Sequence, residues 1–170
     1  MKIFLIGYMG SGKSTAGKKL AAKLNMGFAD LDDYIEEQSG KSIEDIFEKD
    51  GESKFRELEY NYLKHFLGKD NLILSVGGGT PCFYDSMELM NSSGITVYLK
   101  MSAETLAHRL VNAKKKRPFI KDMSETDLKH FINANLEKRE QSYLQAQYKV
   151  KAKDLNVDEL AEFLNKETVK

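Results

Sequence analysis

The stretch GYMGSGKST, residues 7–15, places Gly7, Gly12, Lys13 and Ser14 in the pattern G-x-x-x-x-G-K-[ST]. Glycines let a backbone fold back on itself, so that several N–H groups converge on one anion. A helix starting just after them adds unpaired N–H groups and the positive end of its dipole. Lys13 would set a point charge on the outer phosphates, and the Ser14 hydroxyl would take a Mg²⁺ ligand position. The chemistry expected of Gly10, Ser11, Gly12, Lys13, Ser14 and Thr15 is therefore nucleoside triphosphate binding. The plainer reading is a glycine-rich turn that only joins a strand to a helix. The apolar run before the pattern and the helical pattern after it weigh against that reading.

Other chemistry-bearing residues follow at intervals. FADLDDYIE holds Asp30 and Asp32 two apart, GESKFRELE holds Arg56 and Glu59 at i, i+3 beside Phe55, and VGGGTP holds Gly77, Gly78 and Gly79. LEKREQSYL carries Arg139, and NAKKKRPFIKD packs Lys114, Lys115, Lys116, Arg117 and Lys121 into eight residues. Each has an ordinary alternative. The aspartates could be helix N-caps or solvated acids, and Arg56 with Glu59 could be a surface pair worth about 0.3–0.5 kcal/mol. The basic run could be a solvated face or a nucleic-acid contact, although Phe119 is its single aromatic. Cys82 has no base beside it in sequence and reads as a small filler, and His65, His108 and His130 lack metal-ligand spacing.

The elements that must position these groups alternate. Strands are expected at 2–6, 27–30, 71–76, 94–100 and 148–152. Helices are expected at 15–24, with Ala16, Leu20, Ala21 and Leu24 inward, and at 84–90, 103–111, 124–145 and 157–166. A helix-rich stretch should run from 33 to 67, broken near Ser39-Gly40 and Asp50-Gly51. Ser102 and Ser124 are candidate N-caps, the latter with Asp127 three residues on. Alternation of this kind implies an α/β fold around a mostly parallel sheet. In such sheets ligands gather where strands deliver their C-terminal ends, so the motif segments should converge on the phosphate-binding loop.

The 170 residues suit one domain, 1–170. Twenty-six basic residues balance 26 acidic ones, so any anion site must come from local placement. With one cysteine, no leader ahead of the first strand and no apolar run of membrane length, a reduced cytoplasmic setting without membrane contact is expected. An N-K-x-D guanine reader is missing, since Asn165-Lys166-Glu167-Thr168 lacks the aspartate, and so is a D-x-x-G switch. The third strand ends in glycines where a motor ATPase would carry an acid. What is left is a kinase that holds a small acceptor beside the γ-phosphate.

The series from Ile3 to about Tyr148 resembles the shikimate kinase family: the phosphate loop, D-x-D, SIEDIF…GE..FR..E, the triple glycine, the basic RP segment and a late arginine. The resemblance implies a three-layer sandwich with a central, mostly parallel five-stranded sheet, an acceptor-binding helical segment at about 33–67 and a lid at about 112–124. It implies transfer from ATP, with Mg²⁺, to the 3-hydroxyl of shikimate by a monomer, with no nucleic-acid partner. Carried over residue by residue, Asp32 binds acceptor hydroxyls and takes the proton, and Asp30 reaches Mg²⁺ through water. Arg56 and Arg139 clamp the acceptor carboxylate, with Glu59 orienting Arg56. Gly77, Gly78 and Gly79 let backbone N–H groups approach the ring. Ile43, Phe47 and Phe55 form an apolar wall, Arg117 closes on the transferring phosphate, and Arg109 packs on adenine. The chain departs from the family after the fifth strand, where KVKAKDLNVDEL replaces a threonine-containing turn with a proline.

Overall fold

A computed structural model describes residues 1–113 and 118–168. Five strands, β1 (Lys2–Ile6), β2 (Gly27–Asp30), β3 (Leu72–Ser75), β4 (Ile95–Lys100) and β5 (Tyr148–Lys151), form one sheet in the order β2-β3-β1-β4-β5. Every pairing in it is parallel. The eight helices among the described residues are α1 (Lys13–Leu24), α2 (Leu31–Ser39), α3 (Ile43–Asp50), α4 (Glu52–Leu67), α5 (Ser86–Ser93), α6 (Ala103–Val111), α7 (Glu125–Tyr143) and α8 (Val157–Thr168).

β1 is buried from end to end because helices cover both sheet faces. Its alternate side chains feed two cores. Ile3 and Leu5 pack with Leu20 of α1, Leu106 of α6 and Leu164 of α8, while Phe4 and Ile6 pack with Ile35 of α2, Leu63 of α4 and Tyr143 of α7. Each such apolar side chain contributes about 1.5–3 kcal/mol on burial, and together they hold the strand ends that carry the site.

Most expected elements are present, with shifts that have local causes. α1 begins at Lys13 rather than 15, because Gly12 at φ 89° turns the chain straight into the helix. Its inner stripe is Gly17, Leu20 and Ala21, with Ala16 and Leu24 only half-buried. Gly17 lies so close to β2 that a Cβ there would stand 2.4 Å from the Phe28 ring. The short helix expected at 84–90 is α5, shifted to Ser86–Ser93, and a 3₁₀ turn, Thr80–Cys82, precedes it. Pro81 inside that turn supplies the fixed φ that favours it. The Ser102 and Ser124 caps are present, each side chain accepting from the backbone N–H three residues on, worth about 1 kcal/mol apiece.

Candidate active site

Strand register brings the motif segments together. Leu5 of β1 and Asp30 of β2 both pair with Ser75 of β3, so three neighbouring strands end side by side. The chain leaves that edge as the phosphate loop from β1, as the Asp30–Asp32 turn from β2 and as the glycine run from β3.

In the phosphate loop, Gly10 and Gly12 have φ of 82° and 89°, a region open to glycine at little cost. The Lys13 ammonium folds back and donates to the carbonyls of Gly7 at 2.7 Å and Tyr8 at 3.1 Å, so its charge lies across the loop. Ser11 is buried at 3% exposure, and its Oγ has no hydrogen-bond partner among the described residues. Thr15 is exposed one position past the Ser14 hydroxyl. Arg109 of α6 reaches over the loop and donates from Nη1 to the Gly10 carbonyl at 3.2 Å.

Asp30 caps a helix and reaches the phosphate loop at once. One carboxylate oxygen accepts from the N–H groups of Asp32 and Asp33 and caps α2, while the other accepts the Ser14 hydroxyl at 2.5 Å. The cap fixes the carboxylate that meets the hydroxyl, so a hard-oxygen pair stands beside the phosphate loop, the donor type suited to Mg²⁺.

Arg56 and Glu59 are not a surface pair. They are 7% and 2% exposed and bonded at 2.9 Å through Arg56 Nη1. The second Glu59 oxygen accepts the Thr80 hydroxyl at 2.7 Å, and the exposed Glu52 lies 3.5 Å from Arg56 Nη2. Arg56 Nε is buried without a hydrogen-bond partner among the described residues. Arg139 of α7 lies with its guanidinium carbon 5.5 Å from the centre of the Tyr8 ring. One helical turn on, the buried Tyr143 hydroxyl donates to the Gly78 carbonyl at 2.5 Å and ties α7 to the glycine run. Burial pushes the Tyr143 phenol well above the usual tyrosine range and keeps it a donor.

The three glycines sit where side chains would collide with these charges. A Cβ on Gly77 would stand 2.8 Å from both Asp32 Oδ1 and Glu59 Oε2, one on Gly78 3.3 Å from Arg139 Nη1, and one on Gly79 2.4 Å from both Arg56 terminal nitrogens. Three consecutive residues thus gather four charged side chains from α2, α4 and α7. A Gly79→Ala variant is expected to lower the melting temperature by several degrees, because its Cβ displaces a guanidinium paired with buried Glu59. The same displacement should raise acceptor KM by about tenfold or more, since a shift of about 1 Å at a positioning group can cost 10²-fold. A melting curve beside steady-state kinetics checks both.

Several of these residues are not evident in the sequence. Tyr143 is four residues from Arg139, a helical spacing that could have flagged it; Thr80 adjoins the glycines, and Tyr8 lies inside the phosphate loop. Phe119 sets its ring 6.3 Å from Phe47, edge-on, linking the segment after the basic run to the apolar wall. Phe47 and Phe55 pack 4.6 Å apart with Ile43 beside the same core, as the wall requires. Cys82 is half-buried, and burial pushes its thiol up despite the neighbouring Ser142, Arg139 and Arg56, which opposes a nucleophilic role. His108 is an exposed partner of Glu125. Lys114, Lys115, Lys116 and Arg117 lie outside the described residues, so the placement expected of Arg117 does too.

A phosphate loop at the end of the central strand, with arginines and carboxylates gathered around the glycine run beside it, defines a P-loop small-molecule kinase. The shikimate kinase family model matches residues 9–168. A shikimate kinase of Azobacteroides pseudotrichonymphae is 49% identical over 164 residues, 96% of each chain. The crystal structure of shikimate kinase from Bacteroides thetaiotaomicron superposes with a TM-score of 0.94 at 43% identity, covering 100% of this chain and 99% of that one. Shikimate kinase from Acinetobacter baumannii in complex with shikimate follows at 0.84 and 31%, covering 99% and 92%. The chain belongs to the shikimate kinase family and is an enzyme that transfers a phosphoryl group to shikimate.

Proposed function

We propose that residues 1–170 act as one catalytic domain in which the phosphate loop holds ATP and the glycine run holds shikimate by its 3-hydroxyl side and its carboxylate. The gathering of Asp32, Glu59, Arg139 and Arg56 around Gly77–Gly79 carries this reading. A small polyol acid needs a carboxylate for its hydroxyls and arginines for its own carboxylate, and this gathering supplies both types.

In this reading Gly10, Ser11, Gly12, Ser14 and Thr15 wrap the phosphates. Ser14 and Asp30 would hold Mg²⁺, Asp30 through water, and the ion would supply charge neutralisation on the phosphates. Lys13 neutralises charge on the transferring group, and Arg117, from the lid at about 112–124, closes on it. Asp32 orients the acceptor hydroxyl in line and receives its proton. Arg109, bonded to the Gly10 carbonyl, would pack on adenine. The helices between 33 and 67 shape the acceptor side, and the Phe47–Phe119 contact supports a lid that shuts against them. Closure excludes water, which would otherwise compete as acceptor. We read the enzyme as a cytoplasmic monomer with no nucleic-acid partner. Among the described residues no helix is long and apolar enough to cross a membrane.

The test is Arg56→Lys, followed by coupled ADP release. Lysine preserves the charge facing buried Glu59, which spares the roughly 3–5 kcal/mol that breaking a buried pair costs, but it loses the planar fork. Acceptor KM should rise about 10- to 100-fold with little change in KM for ATP. Equal effects on the two substrates would refute the clamp.

A further inference from the structure

The turn after the glycines is strained, anchored and aimed at the clamp, although nothing in the reading above uses it. Tyr84 has φ 54° without being glycine, a conformation that costs free energy and persists only where its surroundings hold it. Two contacts hold this one. The Tyr84 ring packs 4.7 Å from the Tyr60 ring, and the Tyr60 hydroxyl donates to Asp85 at 2.6 Å. Tyr60 is one helical turn beyond Arg56 on α4, so the turn is pinned to the helix that carries the clamp. Reversing the chain at Tyr84 leaves that side chain 60% exposed and sends the preceding one, Phe83, onto Arg56. The guanidinium carbon lies 4.3 Å from the Phe83 ring centre, against 5.2 Å for Phe55 and 5.9 Å for Phe47.

We propose that Phe83 is a positioning residue for the acceptor: its ring, held by the Tyr60–Asp85 anchor, fixes the Arg56 guanidinium in the orientation that meets the acceptor carboxylate. This deepens, and rests on, the reading of Arg56 as the carboxylate clamp. The physical case is that, among the described residues, Glu59 holds one end of the fork through Nη1 and Nη2 meets the exposed Glu52. A guanidinium held at one end can rotate about that bond. An aromatic ring nearby limits the rotation while leaving the N–H edge open, because the attraction is to the ring face and uses no donor.

The experiment compares Phe83→Leu, which keeps apolar bulk, with Phe83→Tyr, which keeps the ring, in the full-length enzyme with ATP-Mg²⁺ and shikimate. Phe83→Leu should raise acceptor KM about tenfold and leave KM for ATP within twofold. Phe83→Tyr should stay within twofold of the parent for both. Equal behaviour of the two variants, or an unchanged acceptor KM in Phe83→Leu, would overturn the proposal. Should Phe83→Leu fail to fold, Phe83→Met replaces it under the same criteria. Arg56→Lys run alongside separates the two ideas. An acceptor KM that rises there but not in Phe83→Leu sinks only the role of Phe83, and one that rises in neither sinks the clamp itself.

Discussion

Lys13→Ala is expected to lower kcat by about 10³-fold, the scale on which removing one preorganised charge from a transition state acts, equivalent to about 4 kcal/mol. Phosphoryl transfer asks the protein chiefly for alignment and neutralisation, so a missing cation at the phosphates has no substitute within the loop. In the folded protein the ammonium already lies across the loop, bonded to the Gly7 and Tyr8 carbonyls, so ordering it for the reaction costs little. Those two bonds are only partly buried, and water can replace them in the variant, so the melting temperature should move by no more than a few degrees. KM for ATP should rise as well, because the charge acts on bound nucleotide and transition state alike. Lys13→Arg should recover little, since a planar fork does not place a compact charge at the same point. Single-turnover kinetics with and without acceptor check the effect, and full activity in either variant would remove Lys13 from the site.

The second large effect belongs to Asp32→Asn, with an expected loss of about 10²–10³-fold in kcat. Asp32 and Glu59 are equally close to Gly77, each 2.8 Å from where its Cβ would stand, so proximity alone does not choose between them. Burial does. Glu59, at 2% exposure and bonded to Arg56 at 2.9 Å and to Thr80 at 2.7 Å, is a structural anion. Asp32, half-buried at the start of α2, is the carboxylate we propose for the acceptor hydroxyl. Asparagine preserves its size and its place beside Gly77 but offers the hydroxyl an amide in place of an anion. The fold should be unaffected, because Asp30 and not Asp32 caps the helix. A kcat that survives in Asp32→Asn, measured with saturating acceptor, would show that orientation suffices and that no carboxylate takes the proton.

Much of this chain is legible without a structure because its information is local. The pattern from Gly7 to Ser14 specifies a phosphate loop by residue type and spacing alone, and the alternation of strands and helices follows from periodicity. Ser102 and Ser124 cap helices where their spacing says they should. The family resemblance adds the acceptor-side residues, which no local pattern distinguishes from ordinary surface groups.

What the tertiary structure decides is burial and encounter, which depend on residues far apart in sequence. Arg56 and Glu59 have the spacing of an exposed helical pair, and only the packing of α4 under the glycine run makes them a buried pair. Asp30 looks like either a cap or a ligand in sequence, and the register of β2 with β3 lets it cap α2 while meeting the Ser14 hydroxyl. The glycine run reads as a backbone approach to ligand. Its distances add a further reason, since each Cα lies against a charge delivered by another helix. Phe83 is one phenylalanine among nine until the turn at Tyr84 sets it over Arg56. Spacing along the chain reports which residues one helix or strand can align. Which charges lose their water and meet one another is settled only when those elements pack.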